Sequence, residues 1–177
     1  MSLKFGRKAL DGWILSGTLL ALLLIPMTAL TPTAQAETLD VQRGDLYMIS
    51  TIRGEAWTKI NGEVVNVSLT VELTCEVTEV YGDIVLFRLR GGYITLNQTT
   101  YEVSSANWRG IYNRQSERAI VEGYASNSEG GRLYFIFHAK DIAHTQGGTF
   151  MKAVGGLRDP GAIHWLAKLI LWRYRLG

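Results

Sequence analysis

Histidine and cysteine, the residues most often at the centre of catalytic and metal sites, are scarce in this chain. Its histidines are His138, His144 and His164, and its single cysteine is Cys75. His138, Asp141 and His144 lie in one short stretch. At a strand end, two imidazoles and a carboxylate would make a divalent-metal set, yet their spacing matches no metal motif. One cysteine excludes cysteine-based zinc sites and any disulfide within the chain. Cys75 falls on the apolar side of a predicted strand, where a thiol is inert packing. Glu72 and Glu76 share one strand face roughly 13 Å apart by the strand rise, too far for a glycosidase pair. Neither a glycine-rich phosphate loop nor a Gly-x-Ser-x-Gly elbow occurs. A serine triad is defined by geometry that spacing cannot supply. The sequence therefore assigns no catalytic, cofactor or metal residues, and the balance is against an enzyme.

Two segments carry aromatic and cationic residues instead. Residues 106–117 form the longest break in the strand pattern. There Trp108, Arg109, Tyr112 and Arg114 would suit carbohydrate or anion contact if exposed; the alternative is a strand with weak alternation and packed aromatics. After the glycine-rich stretch 144–161, Asp159-Pro160-Gly161 reads as a helix start. At helical spacing Ala162, Trp165, Leu166, Leu169, Trp172 and Leu176 share a face, beside a narrow stripe of His164, Lys168 and Arg175 with Arg173 near its edge. No acidic residue follows Asp159. An amphipathic helix of this kind either lies in a membrane interface or caps one end of a β domain. It is too short to span a bilayer. The first reading makes Trp165, Lys168, Leu169, Trp172, Arg173 and Arg175 contacts to a membrane surface or envelope protein through residues 162–176.

The amino terminus sets the compartment. Lys4, Arg7 and Lys8 precede an apolar run from Trp13 to Leu30, and Ala34-Gln35-Ala36 follows. That order is a secretory signal cleaved after Ala36, the alternative being an uncleaved anchor. Both place the rest of the chain outside the cytoplasm. Cleavage takes three cations and one anion from the 18 basic and 16 acidic residues, so the 141 that remain carry 15 of each. A neutral exported chain has no general attraction to phosphate backbones, which argues against nucleic acid. The expected organisation is a signal at 1–36, a linker at 37–44, an antiparallel β domain at 45–154, and a glycine-led linker and amphipathic helix at 155–177. Asn66-Val67-Ser68 and Asn97-Gln98-Thr99 are sequons predicted to be exposed, which makes Asn66 and Asn97 candidate glycosylation sites.

These residues are positioned by strands. Val65, Val67, Leu69, Val71, Leu73, Cys75 and Val77 alternate with polar residues from Asn66 to Thr78, the pattern of a half-buried antiparallel strand. Its predicted span exceeds ~40 Å, so it should bend or carry a bulge. Further strands are expected at 46–57, 84–90, 93–97, 100–105, 118–126 and 132–140, with one near 149–154. Asn61-Gly62 is a hairpin signal, and Gly91-Gly92 and Glu129-Gly130-Gly131 punctuate the later runs. The fold class is all-β, a small antiparallel barrel or sandwich of about seven to eight strands, with the signal helix before it and the C-terminal helix after it.

The run Leu86-Phe87-Arg88-Leu89-Arg90-Gly91-Gly92-Tyr93-Ile94-Thr95-Leu96, continued by Thr100-Tyr101-Glu102-Val103, resembles small exported all-β proteins of archaea. The resemblance covers roughly residues 50–140. It implies a surface location and an all-β fold, and brings no functional residues with it. Three functions are consistent with these features. One is a non-catalytic extracytoplasmic module associated with the envelope or a protein partner. Another is a lipocalin-like barrel holding an apolar ligand. The last is an extracytoplasmic hydrolase. A solid core would favour the first, a lined cavity the second, and a cleft gathering His138, Asp141 and other carboxylates the third.

Overall fold

Alternation of apolar and polar side chains recurs from Leu46 to the end of the chain, and the strands it forms make a sheet that curls until its first and last strands meet. The computed structural model describes residues 40–104 and 109–177. The expected signal segment lies outside the described residues. Nine strands follow in order: β1 (Leu46–Ile60), β2 (Glu63–Tyr81), β3 (Ile84–Leu96), β4 (Thr99–Glu102), β5 (Arg109–Asn113), β6 (Arg118–Ser126), β7 (Arg132–Thr145), β8 (Gly148–Arg158) and β9 (His164–Leu176). All pairings are antiparallel. The sheet runs β2-β1-β9-β8-β7-β6 and then through β4 and β5 to β3, which pairs back with β2 and closes the ring. β4 and β5 share one position in it. Both lie between β3 and β6, β5 against Ile84–Arg88 and β4 against Tyr93–Leu96.

The C-terminal helix expected from the sequence is not formed; residues 164–176 are β9. Nine of the thirteen residues there are apolar or aromatic, so the segment satisfies a period of two as well as a helical period. Trp165, Ala167, Leu169 and Leu171 turn inward, while His164, Leu166, Lys168, Ile170 and Trp172 turn outward. Closure selects the strand. Without β9, β1 and β8 would each expose an unpaired edge, and β9 pairs with both along most of its length. Asp159 does not cap a helix. Its Oδ1 accepts from the Ile163 N–H (2.9 Å) and its Oδ2 from the Trp165 Nε1–H (3.1 Å), which fixes the β8–β9 turn. The ring thus extends from Leu46 to Leu176, well past the expected boundary at residue 154.

Local chemistry sets the other turns and bends. Asn61 and Gly62 both have positive φ in a two-residue turn between Ile60 and Glu63, as the sequence predicts. β2 bends as its length requires, with one residue extra in β3 near Arg90 and one extra in β2 at Thr78. Gly91-Gly92 does not end a strand. It sits inside β3, where Gly92 (φ 136°) lets the chain pass so close to β2 that a Cβ would stand 2.0 Å from the Glu72 carbonyl oxygen.

The interior is filled by side chains. Leu69, Leu73, Leu89, Ile94, Leu133, Phe135, Met151, Leu157 and Leu169 are buried in one cluster. The rings of Phe87, Phe135 and Phe137 lie where glycines leave room. A Cβ on Gly110, Gly123 or Gly155 would stand 2.1, 2.4 or 2.6 Å from the ring it faces. An eight-position barrel is about wide enough for side chains alone, and here each of three large rings sits beside a cross-strand glycine that makes room for it.

Candidate functional site

One end of the ring holds polar residues that point inward. Asp141 of β7 is fully buried, and its Oδ2 accepts from the Tyr112 hydroxyl (2.8 Å) and from the Arg173 guanidinium (2.9 Å). Arg173 also lies over the Tyr112 ring, 4.7 Å from its centre. Beside it Arg175 pairs with Asp45 at 2.5 Å. Burial, opposed by Arg173 and assisted by the Asp141 hydrogen bond, pushes the Tyr112 hydroxyl up to about 12. Burial likewise pushes the Cys75 thiol up to about 12. A neutral phenol and a neutral thiol are the reverse of what a base or a nucleophile requires.

The same end contains a chain that sequence reading missed. His144 Nε2 lies 3.2 Å from Glu117 Oε1, and its Nδ1 lies 3.1 Å from Thr149 Oγ1. Carboxylate, imidazole and hydroxyl in series have the connectivity of a nucleophilic relay. Thr149, however, is a buried residue on the inner face, its hydroxyl 3.5 Å from Arg173. A substrate carbonyl has no approach to it, so the arrangement ties strand ends together. Only the register that sets Thr149 two residues from Met151 on the inner face would reveal it.

The residues singled out by sequence are dispersed. His138 points outward and Asp141 inward on opposite faces of β7, so the proposed metal set does not assemble. Among the described residues no group of three metal-ligating side chains converges. Trp108 lies outside the described residues. Arg109 begins β5, Tyr112 turns into the polar end, and Arg114 donates to the Gly82 carbonyl oxygen. Residues 109–113 of the expected 106–117 loop are therefore strand, held between β3 and β6. Trp165 and Leu169 are interior, Arg173 pairs with the inward Asp141, and the exposed Arg175 pairs with Asp45. Lys168 and Trp172 face outward, Trp172 against Phe150 (ring centres 4.5 Å). Asn66 and Asn97 are both exposed, Asn97 in the β3–β4 turn.

The outer wall of β6–β9 is the remaining feature with a distinct character. Arg118, Lys140 and Lys152 are direct cross-strand partners on β6, β7 and β8. All three are exposed, and among the described residues none has a carboxylate within ion-pair distance. In the adjoining row Lys168, Val154, His138, Ile120 and Ile111 face one another across five strands. Farther along, a pocket of about 540 Å³ opens between the β6–β7 and β8–β9 turns, with Tyr124, Arg132, Tyr134 and Arg158 among its lining. The Arg132 guanidinium stacks on Tyr124 at 4.6 Å. Set beside known proteins, the chain matches no family model, no curated protein and no solved structure.

Proposed function

We propose that this chain is a non-catalytic extracytoplasmic module that works through its outer surface, in association with the cell envelope. The observation that carries this reading is the filled interior. Phe87, Phe135 and Phe137 interlock with Gly110, Gly123 and Gly155, and at the polar end Tyr112 and Arg173 both bond to the buried Asp141. A barrel that carries an apolar ligand keeps its lumen open, whereas this lumen is occupied by its own side chains. The relay at Glu117, His144 and Thr149 ends on a buried hydroxyl, which withholds support from a hydrolase.

Export rests on the basic, apolar and small-residue order of residues 1–36. Two measurements test the reading. Fractionation of the producing cell should recover the protein with the envelope, from which high salt releases it. Titration with a fluorescent fatty acid should show no saturable one-to-one binding. Stoichiometric uptake of that probe, or recovery of the uncleaved chain in the cytosol, would overturn the proposal.

A further inference from the structure

The outer wall of β6–β9 is built at a cost to the fold. Like charges placed directly opposite each other destabilise a sheet, and the row Arg118, Lys140, Lys152 does so twice in succession. The opposite wall treats its cations differently: Arg88 and Arg90 on β3 both reach Glu76 on β2, at 2.8 and 3.3 Å. Carboxylates do lie on the wall's margins. Glu122 is two residues along β6 from Ile120, and Glu55 is opposite Lys168 but is held by Arg53 at 2.7 Å. Neither reaches the row.

Beside the cations lie exposed aliphatic side chains. Leu166 is 59% exposed, Val154 49%, Ile111 48% and Ile120 45%. Leu166 is two residues from Lys168 on β9, Val154 two from Lys152 on β8, and Ile120 two from Arg118 on β6. On every one of these strands a cation and an aliphatic residue therefore point the same way, side by side.

We infer that this wall docks on a lipid bilayer surface bearing anionic headgroups. The inference rests on the reading of the chain as an envelope module acting through its outside, and it names the surface. Cations match the headgroup charge and aliphatic neighbours reach the acyl boundary beneath it. A soluble polyanion would use the cations and gain nothing from Leu166, Val154 or Ile120. A folded protein partner would need a matching concavity, since a barrel wall is convex, whereas a bilayer yields to it. The contact is peripheral, because the wall also carries polar residues and the inner face of each strand is committed to the core.

The test is co-sedimentation of the purified protein with vesicles of phosphatidylcholine, with and without phosphatidylglycerol. Binding is expected only to the anionic vesicles and should be lost in about 0.5 M salt. The triple variant Arg118→Gln, Lys140→Gln, Lys152→Gln should bind about a hundredfold more weakly, at roughly fivefold per cation. It should melt no lower than the parent, which separates lost docking from lost folding. Leu166→Thr with Val154→Thr should weaken vesicle binding severalfold and leave binding to soluble polyglutamate unchanged. Arg88→Gln with Arg90→Gln, on the opposite wall, should alter vesicle binding little. Three results would overturn the inference: no binding to anionic vesicles, equal losses from the two walls, or vesicle binding indifferent to the aliphatic pair with polyglutamate bound as tightly. In each case envelope recovery from cells would still stand or fall on its own, so the broader reading is judged separately.

Discussion

The polar end of the ring and the outer wall of β6–β8 both concentrate charge, and they handle it in opposite ways. At the end, Asp141 is fully buried and its Oδ2 has two donors, with Arg173 held between Asp141 and the Tyr112 ring. On the wall, Arg118, Lys140 and Lys152 are exposed opposite one another, and among the described residues no carboxylate pairs with them. A buried charge that loses its partner destabilises the fold strongly. Exposed like charges in register weaken the fold slightly and hold a field outward. The first arrangement serves the barrel itself, and the second suits something outside it.

The largest effect should come from breaking the buried pair. Asp141→Ala leaves Arg173 beside the core without its anion and should cost about 3 kcal/mol in denaturant unfolding. Gly123→Ala pushes a methyl into the Phe135 ring and should cost about 1–3 kcal/mol. Paired with Phe135→Leu it should recover part of that loss, which identifies overpacking as the cause. High pH should act at the same end. In the folded chain Cys75 and Tyr112 keep their protons to about 12, against ordinary values of 9.0 and 10.0. Between those limits the unfolded chain binds fewer protons, so stability present below about pH 9 should fall as pH rises toward 12. Tyr112→Phe should flatten part of that decline in a pH series of melts.

On the walls the effects are small and differ in sign. Glu76→Ala removes the partner of Arg88 and Arg90 and should cost no more than about 1 kcal/mol, because that cluster is partly exposed. Lys152→Glu sets an anion opposite Lys140 and should stabilise the barrel by about 0.2–1 kcal/mol.

How much of this was legible in the sequence follows from how locally each feature is determined. β6 was read at its true limits, because Arg118–Ser126 alternates cleanly, and the Asn61-Gly62 turn needs only its own two residues. β9 was misread because Trp165, Leu166, Leu169, Ile170 and Trp172 satisfy two periods at once, and only the open edges of β1 and β8 decide between them. Gly91-Gly92 looked like a break for a similar reason: the close approach of β2 that requires Gly92 is a tertiary fact. Lys168 and Trp172 lie on the outer face of a strand rather than on the helix that the spacing predicts. The partners of Lys168 were hidden. That Arg118, Lys140 and Lys152 form one row depends on the registers of three strands, each set by turn length and bulges elsewhere. The Asp141 network was hidden likewise, since Tyr112 and Arg173 approach it from strands 29 and 32 residues away.

Lys152→Glu, followed both by thermal melting and by sedimentation with phosphatidylglycerol vesicles, tests the central contrast most directly. The account predicts a higher melting midpoint together with weaker vesicle binding. A lower midpoint with vesicle binding undiminished would contradict it.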